Sequence, residues 1–446
     1  MILAASGLLT GYLYLRIEYG SVSAFREAMQ RRWLWAAENE TVLRFQSFRG
    51  SVLPAMQEAL NQRNLDGWIL WDNRRSRTWV YELLPLFVDR DSFSKSAVPQ
   101  EGQREFLQPF LYYIPSAGNP FKLVHPIDAG LMQGLPGLES FYLNRQDWDR
   151  VLKKSLSGVH RVAADDPHDS WVAAPLDGTG VEIVSSSELA PLFLARLSSV
   201  QAEQHRRAAR HLSELIPLAF NEIKGHVEAS QPITVGQLKK FLLVQIDRVA
   251  LRTESIPLVS TGRATATPYF SPTYLDNTLI QPGDVIVLEV AARMDEPGSV
   301  YAKAAWTGFV GRSVPPEVEQ RFSVCAGTRD AVLQAIRAAV KEKRTMTGQE
   351  AQQAAGGFLA RKGMENACPH PVGFSLGRTL FGPGANLDAL LLPDARPLLS
   401  DTAFSVEPGI YAADFGVRSA VSVLLLSGEL AITTWPVQDQ VVPILQ

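Results

Sequence analysis

Two apolar segments of this chain are joined by the turn sequence DEPG, and each segment carries one charged residue. Residues 285–311 read VIVLEVAARMDEPGSVYAKAAWTGFVG. Apolar runs on either side of Pro and Gly predict an antiparallel β-hairpin. Glu289 lies in the first strand and Lys303 in the second. Because a charge buried in a sheet must be paired, this hairpin limits how the surrounding chain can fold.

The spacing of the hairpin predicts that the two charges share a face. Facing residues of an antiparallel pair have a constant sum of residue numbers, and residues two apart lie on the same face. A turn centred on DEPG sets that sum at about 592, which makes Glu289 and Lys303 direct cross-strand neighbours, about 5 Å apart at Cβ. Considered alone, the pair is interpreted as a structural salt bridge.

The composition is that of a globular protein with more than one domain. The 446 residues are 46% hydrophobic and 20% charged, with a formal net charge of -3. This length exceeds a single compact core and predicts two domains. A net charge near zero, without a basic cluster, predicts no nucleic-acid binding. The two cysteines, Cys325 and Cys368, are too few for a disulfide framework and favour a cytoplasmic location.

The patterns of helices and strands divide the chain into three parts. Residues 1–42 form an N-terminal extension that is apolar at first and then helical in its spacing. Residues 43–192, in which helices alternate with mixed strands, predict a small α/β domain. Residues 193–446 predict an α+β domain, in which helices cover one face of a mostly antiparallel sheet.

The α+β domain is expected to begin with a long helix that has Ser198 or Ser199 as its N-cap and Gln201 or Glu203 in its first turn. The other helices and strands are expected at residues 235–250, 315–342 and 347–362 (helices) and at 256–260, 284–310 and 403–434 (strands).

The N-terminal extension contains an apolar run, ILAASGLLTGYLYL, at residues 2–15. Its length of about 14 residues is shorter than the roughly 20 that span a bilayer. It also lacks the basic start and the cleavage site of a secretory signal. We therefore predict that residues 1–42 dock on the body of the protein or on a partner, and a weak membrane anchor is the alternative to this docking role.

Four ionisable residues of the C-terminal half lie in apolar sequence, where candidates for a functional site are found. Glu289 and Lys303 belong to the hairpin, His370 lies in PHPVGFSLG, and Glu407 lies in AFSVEPGIY. Two carboxylates and one imidazole that converge in space can bind a divalent transition metal. Each signal is weak alone, because a single histidine is usually structural and Pro-Gly after a strand is simply a turn.

The order of these segments resembles the creatinase/methionine aminopeptidase superfamily, the pita-bread fold of M24 peptidases. Within it, the chain is most similar to the two-domain branch of Xaa-Pro aminopeptidase and prolidase. The similarity begins at residue 43 and rests on IQPGDVIVLEVAARM, YAKAAWTGFVG, PHPVGFSLG and FSVEPGIYAADFGVRSAVSVLL, which follow one another at family spacing. The resemblance implies a pita-bread domain, a curved antiparallel sheet covered by helices, preceded by a smaller α/β domain.

The resemblance also implies a set of site positions. Active members hold two divalent ions with two Asp, one His, the Glu of EPG and a final Glu, and the ions activate a water and polarise the scissile carbonyl. The matching positions in this sequence are Glu289, Lys303, His370, Glu407 and Ala420. Positively charged Lys303 and apolar Ala420 thus replace two of the ligands.

Three further positions are expected in the substrate pocket. Tyr269 and Leu380 match positions at which the family has substrate-handling histidines. Arg418 is the arginine of the segment that reads VRSA here and VRSE in active members.

These departures imply a dismantled dimetal centre, in which the Lys303 ammonium replaces the metal ions and pairs with Glu289 and Glu407. The first hypothesis is a pseudo-peptidase without a metal cofactor that binds a peptide or protein or serves as a scaffold. The alternative is an Xaa-Pro aminopeptidase or prolidase-type hydrolase with one Mn, Co, Zn or Fe ion on Glu289, His370 and Glu407. A metal-free C–N hydrolase of creatinase type would need His370 as base and Glu407 as its orienting group, because Tyr269 is a poor base at neutral pH.

Partner expectations follow from the same resemblance. A protein partner would dock through residues 1–42, and the two-domain branch implies a homodimer.

Overall fold

The computed structural model describes residues 48–73, 78–84, 106–268 and 276–446. The chain divides into two compact units, one ending at Leu189 and the other comprising Ala190–Gln446. Tyr269 and the N-terminal extension of residues 1–42 lie outside the described residues. The docking role predicted for the extension therefore stays a prediction.

The first unit is built on a six-stranded mixed sheet with the order β4-β3-β2-β1-β5-β6. Strand β1 lies in its interior and is buried along its whole length. It pairs antiparallel with β2 and parallel with β5. The strands are β1 (Gly67–Asp72), β2 (Phe110–Pro115), β3 (Phe121–Val124), β4 (Leu138–Phe141), β5 (Arg161–Ala164) and β6 (Glu182–Ser185). The helices are α1 (Leu53–Asn61), α2 (Thr78–Leu83), α3 (Arg145–Ser155) and α4 (Ala173–Leu176), with short π and 3₁₀ turns at Phe48–Val52 and Pro126–Met132.

The second unit combines long helices with mostly antiparallel strands, as the sequence predicted for an α+β domain. The helices are α5 (Ala190–Leu194), α6 (Ser199–Glu228), α7 (Val235–Arg248), α8 (Pro316–Lys341) and α9 (Gly348–Arg361), with a 3₁₀ turn at Gly262–Ala266. The strands are β7 (Leu251–Arg252), β8 (Leu258–Thr261), β9 (Val285–Met294), β10 (Ala302–Phe309), β11 (Ser375–Leu376), β12 (Thr402–Val406), β13 (Gly409–Tyr411), β14 (Gly416–Arg418), β15 (Val421–Leu426), β16 (Glu429–Ile432) and β17 (Val442–Pro443).

These strands form three sheets. One has the order β17-β10-β9-β7, with β8 also on β9; the second has the order β11-β12-β15-β16, and β13 pairs with β14. Ala305 of β10 and Ala420 form an antiparallel bridge, so that β10 runs beside the segment that leads from β14 into β15. The bridge brings the residues of β9 and β10 close to those around 407 and 418.

Apolar faces of the helices build the core of the second unit. Helix α6 packs on β9 and β10 through small and branched side chains that include Ala208, Ala219 and Ile216. Helices α8 and α9 pack on each other and line a second cluster that includes Phe322 and Phe404. Strands β9 and β10 are buried at almost every residue, so both of their faces are covered, whereas α6 is buried along one helical face.

The hairpin register differs from the prediction. Ala305 faces Glu289, and Ala291 faces Lys303, so that the sum of facing residue numbers is 594 rather than about 592. The two charges are therefore diagonal rather than direct neighbours. The reason is that β9 continues to Met294 to pair with β7, which moves the turn towards the C-terminus. A shift of two keeps the parity, and Glu289 and Lys303 remain on one face.

None of the helices in the described ranges is long and apolar enough to cross a membrane.

The start of α6 provides a test of the fold. Ser198 is the N-cap: its Oγ accepts from the Gln201 amide at 3.2 Å, and Gln201 Oε1 accepts from the Ser198 amide at 3.0 Å. We expect Ser198→Ala to lower the free energy of unfolding by about 1 kcal/mol, because a helix-end amide loses its acceptor. Urea unfolding followed by circular dichroism measures this. Ser199→Ala is the matched control, expected to change stability by less than about 0.5 kcal/mol; equal losses would contradict the capping role.

Candidate functional site

Four charged side chains from different elements converge in the second unit. Glu289 comes from β9, Lys303 from β10, and Arg418 from the end of β14. Glu407 lies in the link between β12 and β13, where its amide donates to Val372 O at 2.7 Å. Two carboxylates thus face two cations in the interior of the unit, and we call these four residues the charge cluster.

Lys303 is the residue that joins the two carboxylates. Its Nζ lies 2.9 Å from Glu289 Oε1 and 2.8 Å from Glu407 Oε2, and the residue is only 4% exposed. The ammonium also lies 4.7 Å from the centre of the Phe374 ring. Ser422 makes hydrogen bonds to both backbone groups of Lys303: its Oγ accepts from the Lys303 amide and donates to the Lys303 carbonyl. The position of the amine is therefore fixed by strand pairing as well as by charge.

The contact between Lys303 and Glu407 is a short, buried ion pair. The Lys303 ammonium lies 2.8 Å from Glu407 Oε2, and both side chains are less than a tenth exposed. At this distance in a buried site the attraction between the two charges is strong. Glu407 thus relies on Lys303 for compensation of its charge.

Arg418 is the second cation of the cluster. Its Nη1 donates to Glu289 Oε2 at 2.6 Å, so that both oxygens of Glu289 contact a cation. Its Nε donates to the Tyr411 hydroxyl at 3.1 Å, and its Nη2 donates to Pro268 O at 3.3 Å. Because a guanidinium presents five donors in a rigid plane, it can serve several acceptors at once.

His370 lies beside Arg418, and its contacts define its tautomer. Nδ1 is 2.9 Å from Pro371 O, which can only accept, so Nδ1 carries the proton. Nε2 then accepts from the Tyr411 hydroxyl at 3.0 Å, with Arg418 Nη2 at 3.3 Å. Both ring nitrogens are thus engaged by groups other than Glu407, and the contacts do not place Glu407 as the orienting group of an imidazole base.

The pKa shifts follow from burial and from these ion pairs. Burial alone raises the pKa of Glu289, but the charges of Lys303 and Arg418 outweigh it and lower the pKa to about 2. Burial lowers the pKa of Lys303, but Glu289 and Glu407 outweigh it and raise the pKa above its usual value. Burial, and then the charge of Arg418, lowers the pKa of His370 to about 4. At neutral pH Glu289 is therefore ionised, Lys303 is protonated, and the imidazole of His370 is neutral.

The residues present do not fit the pair of divalent ions expected at these positions. Both oxygens of Glu289 and one oxygen of Glu407 contact cationic side chains, and His370 Nε2 is engaged by Tyr411 and Arg418. Ala420 offers no donor side chain, is buried, and pairs through its backbone with Ala305. Among the described residues, no group of three or more His, Cys, Asp or Glu side chains is arranged to hold a metal ion.

Leu380, a further position predicted for the substrate pocket, belongs to an apolar group. Leu380 is half-buried and packs with an apolar group that also includes Phe374, rather than with the charged residues. The cavity that reaches the cluster is lined by Tyr411, Arg418 and Pro268 among others, and its volume is about 10 Å³, about enough for one water molecule.

Sequence reasoning missed the role of Tyr411 and the pairing of Arg418 with Glu289. The pairing of β13 with β14 carries a signal for Tyr411. In this pairing Gly409 faces Arg418, and Tyr411 faces Gly416. This register puts Tyr411 and Arg418 on one face. The pairing of Arg418 with Glu289 across 129 residues has no such local signal.

Comparisons with known proteins identify the family. A sequence profile of metallopeptidase family M24 matches residues 203–426. The chain therefore belongs to metallopeptidase family M24, and its fold is the pita-bread fold preceded by a smaller α/β unit. A search of curated protein sequences finds no significant match.

Solved structures of low sequence identity share this fold. Dipeptidase PepE from Mycobacterium ulcerans is 18% identical, with 87% of this chain and 96% of that chain covered and a TM-score of 0.64. A prolidase from Thermococcus sibiricus is 16% identical, with 88% and 98% covered and a TM-score of 0.58. The N-terminal domain of FACT complex subunit SPT16 from Cicer arietinum (chickpea) is 12% identical, with 89% and 98% covered and a TM-score of 0.64.

The ion pairs of Lys303 predict a large effect on stability. We expect Lys303→Met to lower the free energy of unfolding by about 3–5 kcal/mol, because Glu407 keeps a buried charge without its cation. Adding Glu407→Gln removes that charge, and the double variant is expected to recover at least half of the loss. Chemical unfolding of the single and double variants measures both effects. A double variant no more stable than Lys303→Met would contradict this account of the cluster.

The pKa shifts predict loss of stability in acid. An unfolded Glu289 takes up its proton near pH 4.5 and the folded one near pH 2, so its stabilisation is complete above pH 4.5 and is lost as the pH falls to 2. An unfolded His370 takes up its proton near pH 6.5 and the folded one near pH 4, so it adds a loss between those values.

Urea midpoints measured between pH 7.5 and pH 3 test these windows. Glu289→Gln is expected to reduce the loss of stability between pH 4.5 and 3. His370→Gln is expected to remove only part of the loss between pH 6.5 and 4. The buried His205, whose pKa burial also lowers to about 4, titrates in that same range. Stability that is constant between pH 6.5 and 4 in the unmodified protein would contradict the His370 assignment, and stability that is constant between pH 4.5 and 3 would contradict the Glu289 assignment.

Proposed function

We propose that this protein is a non-catalytic member of metallopeptidase family M24, a pseudo-peptidase without a metal cofactor that serves as a peptide-binding, protein-binding or scaffold module. The observation that carries the proposal is the position of Lys303 Nζ, within 2.9 Å of Glu289 and 2.8 Å of Glu407. A protonated amine cannot be a metal ligand, and it repels a divalent cation at this range.

The charge balance of the cluster supports the same conclusion. Glu289 and Glu407 are matched by Lys303 and Arg418, so that the buried charges sum to zero without an ion. A divalent cation bound there would leave an excess of two positive charges in a buried site, which costs several kcal/mol per uncompensated charge. Metal binding would require Lys303 to lose its proton or to leave the cluster, and the raised pKa of Lys303 opposes the first.

The cavity at the cluster also favours a non-catalytic role. Its volume of about 10 Å³ is far below the roughly 300 Å³ at which ligand pockets begin. The Arg418 guanidinium lines it while it donates to Glu289 and Tyr411. A peptide bond could reach the carboxylates only after Arg418 had moved.

The second candidate is an Xaa-Pro aminopeptidase or prolidase-type hydrolase. Glu289, His370 and Glu407 keep donor atoms, and each lies against Lys303 or Arg418 in the same cluster. If Lys303 swung out, these three residues would hold one Mn, Co, Zn or Fe ion. A metal-free hydrolysis with His370 as base is less favoured, because His370 Nε2 already accepts from Tyr411.

The binding role has support from the structural comparisons. The fold occurs in prolidases and dipeptidases, and it also occurs in the N-terminal domain of a FACT complex subunit. By extension we propose residues 1–42 as a docking element for a protein partner, together with a homodimer and a cytoplasmic location.

Metal content and turnover test this proposal directly. Purified protein is expected to contain less than about 0.1 equivalent of Mn, Co, Zn or Fe, and to show no hydrolysis of Xaa-Pro dipeptides with added Mn²⁺ or Co²⁺. Stoichiometric metal together with turnover would establish the second candidate.

A restoring variant tests the placement of the site. Lys303→Asp combined with Ala420→Glu exchanges the cation for a carboxylate and adds another, so calorimetric titration is expected to show Mn²⁺ binding that the parent lacks. Lys303→Met with Ala420→Leu is the control without new ligands. If the restoring double variant does not fold, the single variant Lys303→Asp is tested in its place. Metal binding by this variant is then measured as a rise in melting temperature when Mn²⁺ is added. No binding by either folded variant would show that the site is placed wrongly.

A further inference from the structure

An open groove with a volume of about 710 Å³ runs beside β6 in the first unit. Its volume falls within the range of ligand-binding pockets. Segments that include residues 167–168, residues 173–178 and residues 180–183 form its walls. The lining is mostly apolar and comprises Pro167, Ala173, Ala174, Leu176, Val181 and Ile183, with His168, Asp177 and Glu182 as its titratable side chains.

The strand beside the groove is an edge strand. Among the described residues β6 is the last strand of its sheet and pairs only with β5. The Glu182 amide donates to His160 O and the Ser186 amide donates to Ala164 O, each at 2.7 Å. Because hydrogen-bonding groups alternate in direction along a strand, the N–H and C=O groups of Ile183 and Ser185 point away from β5. No other strand of the described ranges pairs with these groups, and an added strand can do so.

The side chains of β6 differ between its two faces. Val181 and Ile183 are half-buried and pack on the core of the first unit. Glu182 lies on the opposite face, where Arg161 Nε donates to it at 3.1 Å. A peptide added to β6 would alternate in the same way. Every second side chain would enter the apolar groove, and the others would lie on the side of Glu182.

The charge of the lining selects the partner. Asp177 and Glu182 are exposed carboxylates, and Arg161 offsets only the charge of Glu182. One carboxylate, Asp177, thus adds a negative charge to an apolar groove, and this charge favours a peptide with basic residues between apolar ones, since complementary charge guides association and excludes acidic sequences.

We infer that this groove binds an extended peptide segment of a partner, in which apolar residues alternate with Lys or Arg, as an added strand on β6. The inference rests on the proposed binding function and gives that function a location and a ligand class. The groove lies wholly within the first unit, and it uses none of the residues of the charge cluster.

The test uses the full chain and a fluorescein-labelled peptide, Lys-Val-Lys-Leu-Lys-Val, with an amidated C-terminus. Anisotropy is expected to show saturable binding, and hydrogen exchange is expected to show slower exchange at the amides of Ile183 and Ser185. The same peptide N-methylated at alternate backbone nitrogens is expected to bind at least about ten-fold more weakly, because it cannot complete the ladder.

Variants locate the binding. Asp177→Lys is expected to weaken binding about five-fold at low salt, with a smaller effect at high salt. Ala174→Arg, which fills the groove, is expected to weaken it at least about ten-fold. Glu139→Lys makes the same charge change on β4, the opposite edge of the sheet, and is expected to leave affinity unchanged.

Several outcomes would overturn the inference: no saturable binding up to about 1 mM peptide, no added protection at Ile183 and Ser185, or equal weakening by Asp177→Lys and Glu139→Lys. If the chain self-associates without peptide, and Ala174→Arg abolishes that self-association, the groove belongs to a second copy of the chain instead.

The peptide probe contains no proline, and none of the readouts measures catalysis. Xaa-Pro turnover alongside intact peptide binding would therefore contradict only the proposed function, and absent binding without turnover would contradict only the groove.

Discussion

The fold of the second unit depends on a buried ammonium that lies between two carboxylates. Lys303 reaches Glu289 on the neighbouring strand and Glu407 in the link between β12 and β13. Separate burial of these charges would cost several kcal/mol for each, and their pairing with good geometry offsets that cost. The contact with Glu407 joins segments that are about a hundred residues apart in sequence, and it links β10 to the segment between β12 and β13. Under the proposed function, these side chains occupy the positions at which the resemblance to active family members implies metal ligands.

Arg418 completes the arrangement and couples it to the neutral imidazole. It donates to Glu289 and to Tyr411, and Tyr411 in turn donates to His370. The guanidinium therefore opposes protonation of His370 while it stabilises the ionised form of Glu289. Lys303 alone would leave the cluster with one excess negative charge, and Arg418 removes it. Under the proposed function, replacement of a metal centre would involve both Lys303 and Arg418.

Much of the site was predictable because strand geometry is periodic. Parity placed Glu289 and Lys303 on one face, and the family resemblance placed His370 and Glu407 nearby. The direct pairing was wrong by two residues, because the extension of β9 to meet β7 is a non-local event that no turn sequence encodes. The contact of Arg418 with Glu289 was missed for a related reason: a long side chain has several partners within reach, and packing among distant segments selects one. Tyr411 could have been found by applying the parity argument to β13 and β14.

The most direct test of the central claim is a crystal structure from crystals grown at neutral pH with millimolar Mn²⁺, with anomalous data collected at the manganese edge. The account predicts no anomalous peak in the charge cluster, and electron density for the Lys303 side chain between Glu289 and Glu407. A manganese peak among Glu289, His370 and Glu407, with the Lys303 amine turned out of the cluster, would contradict it.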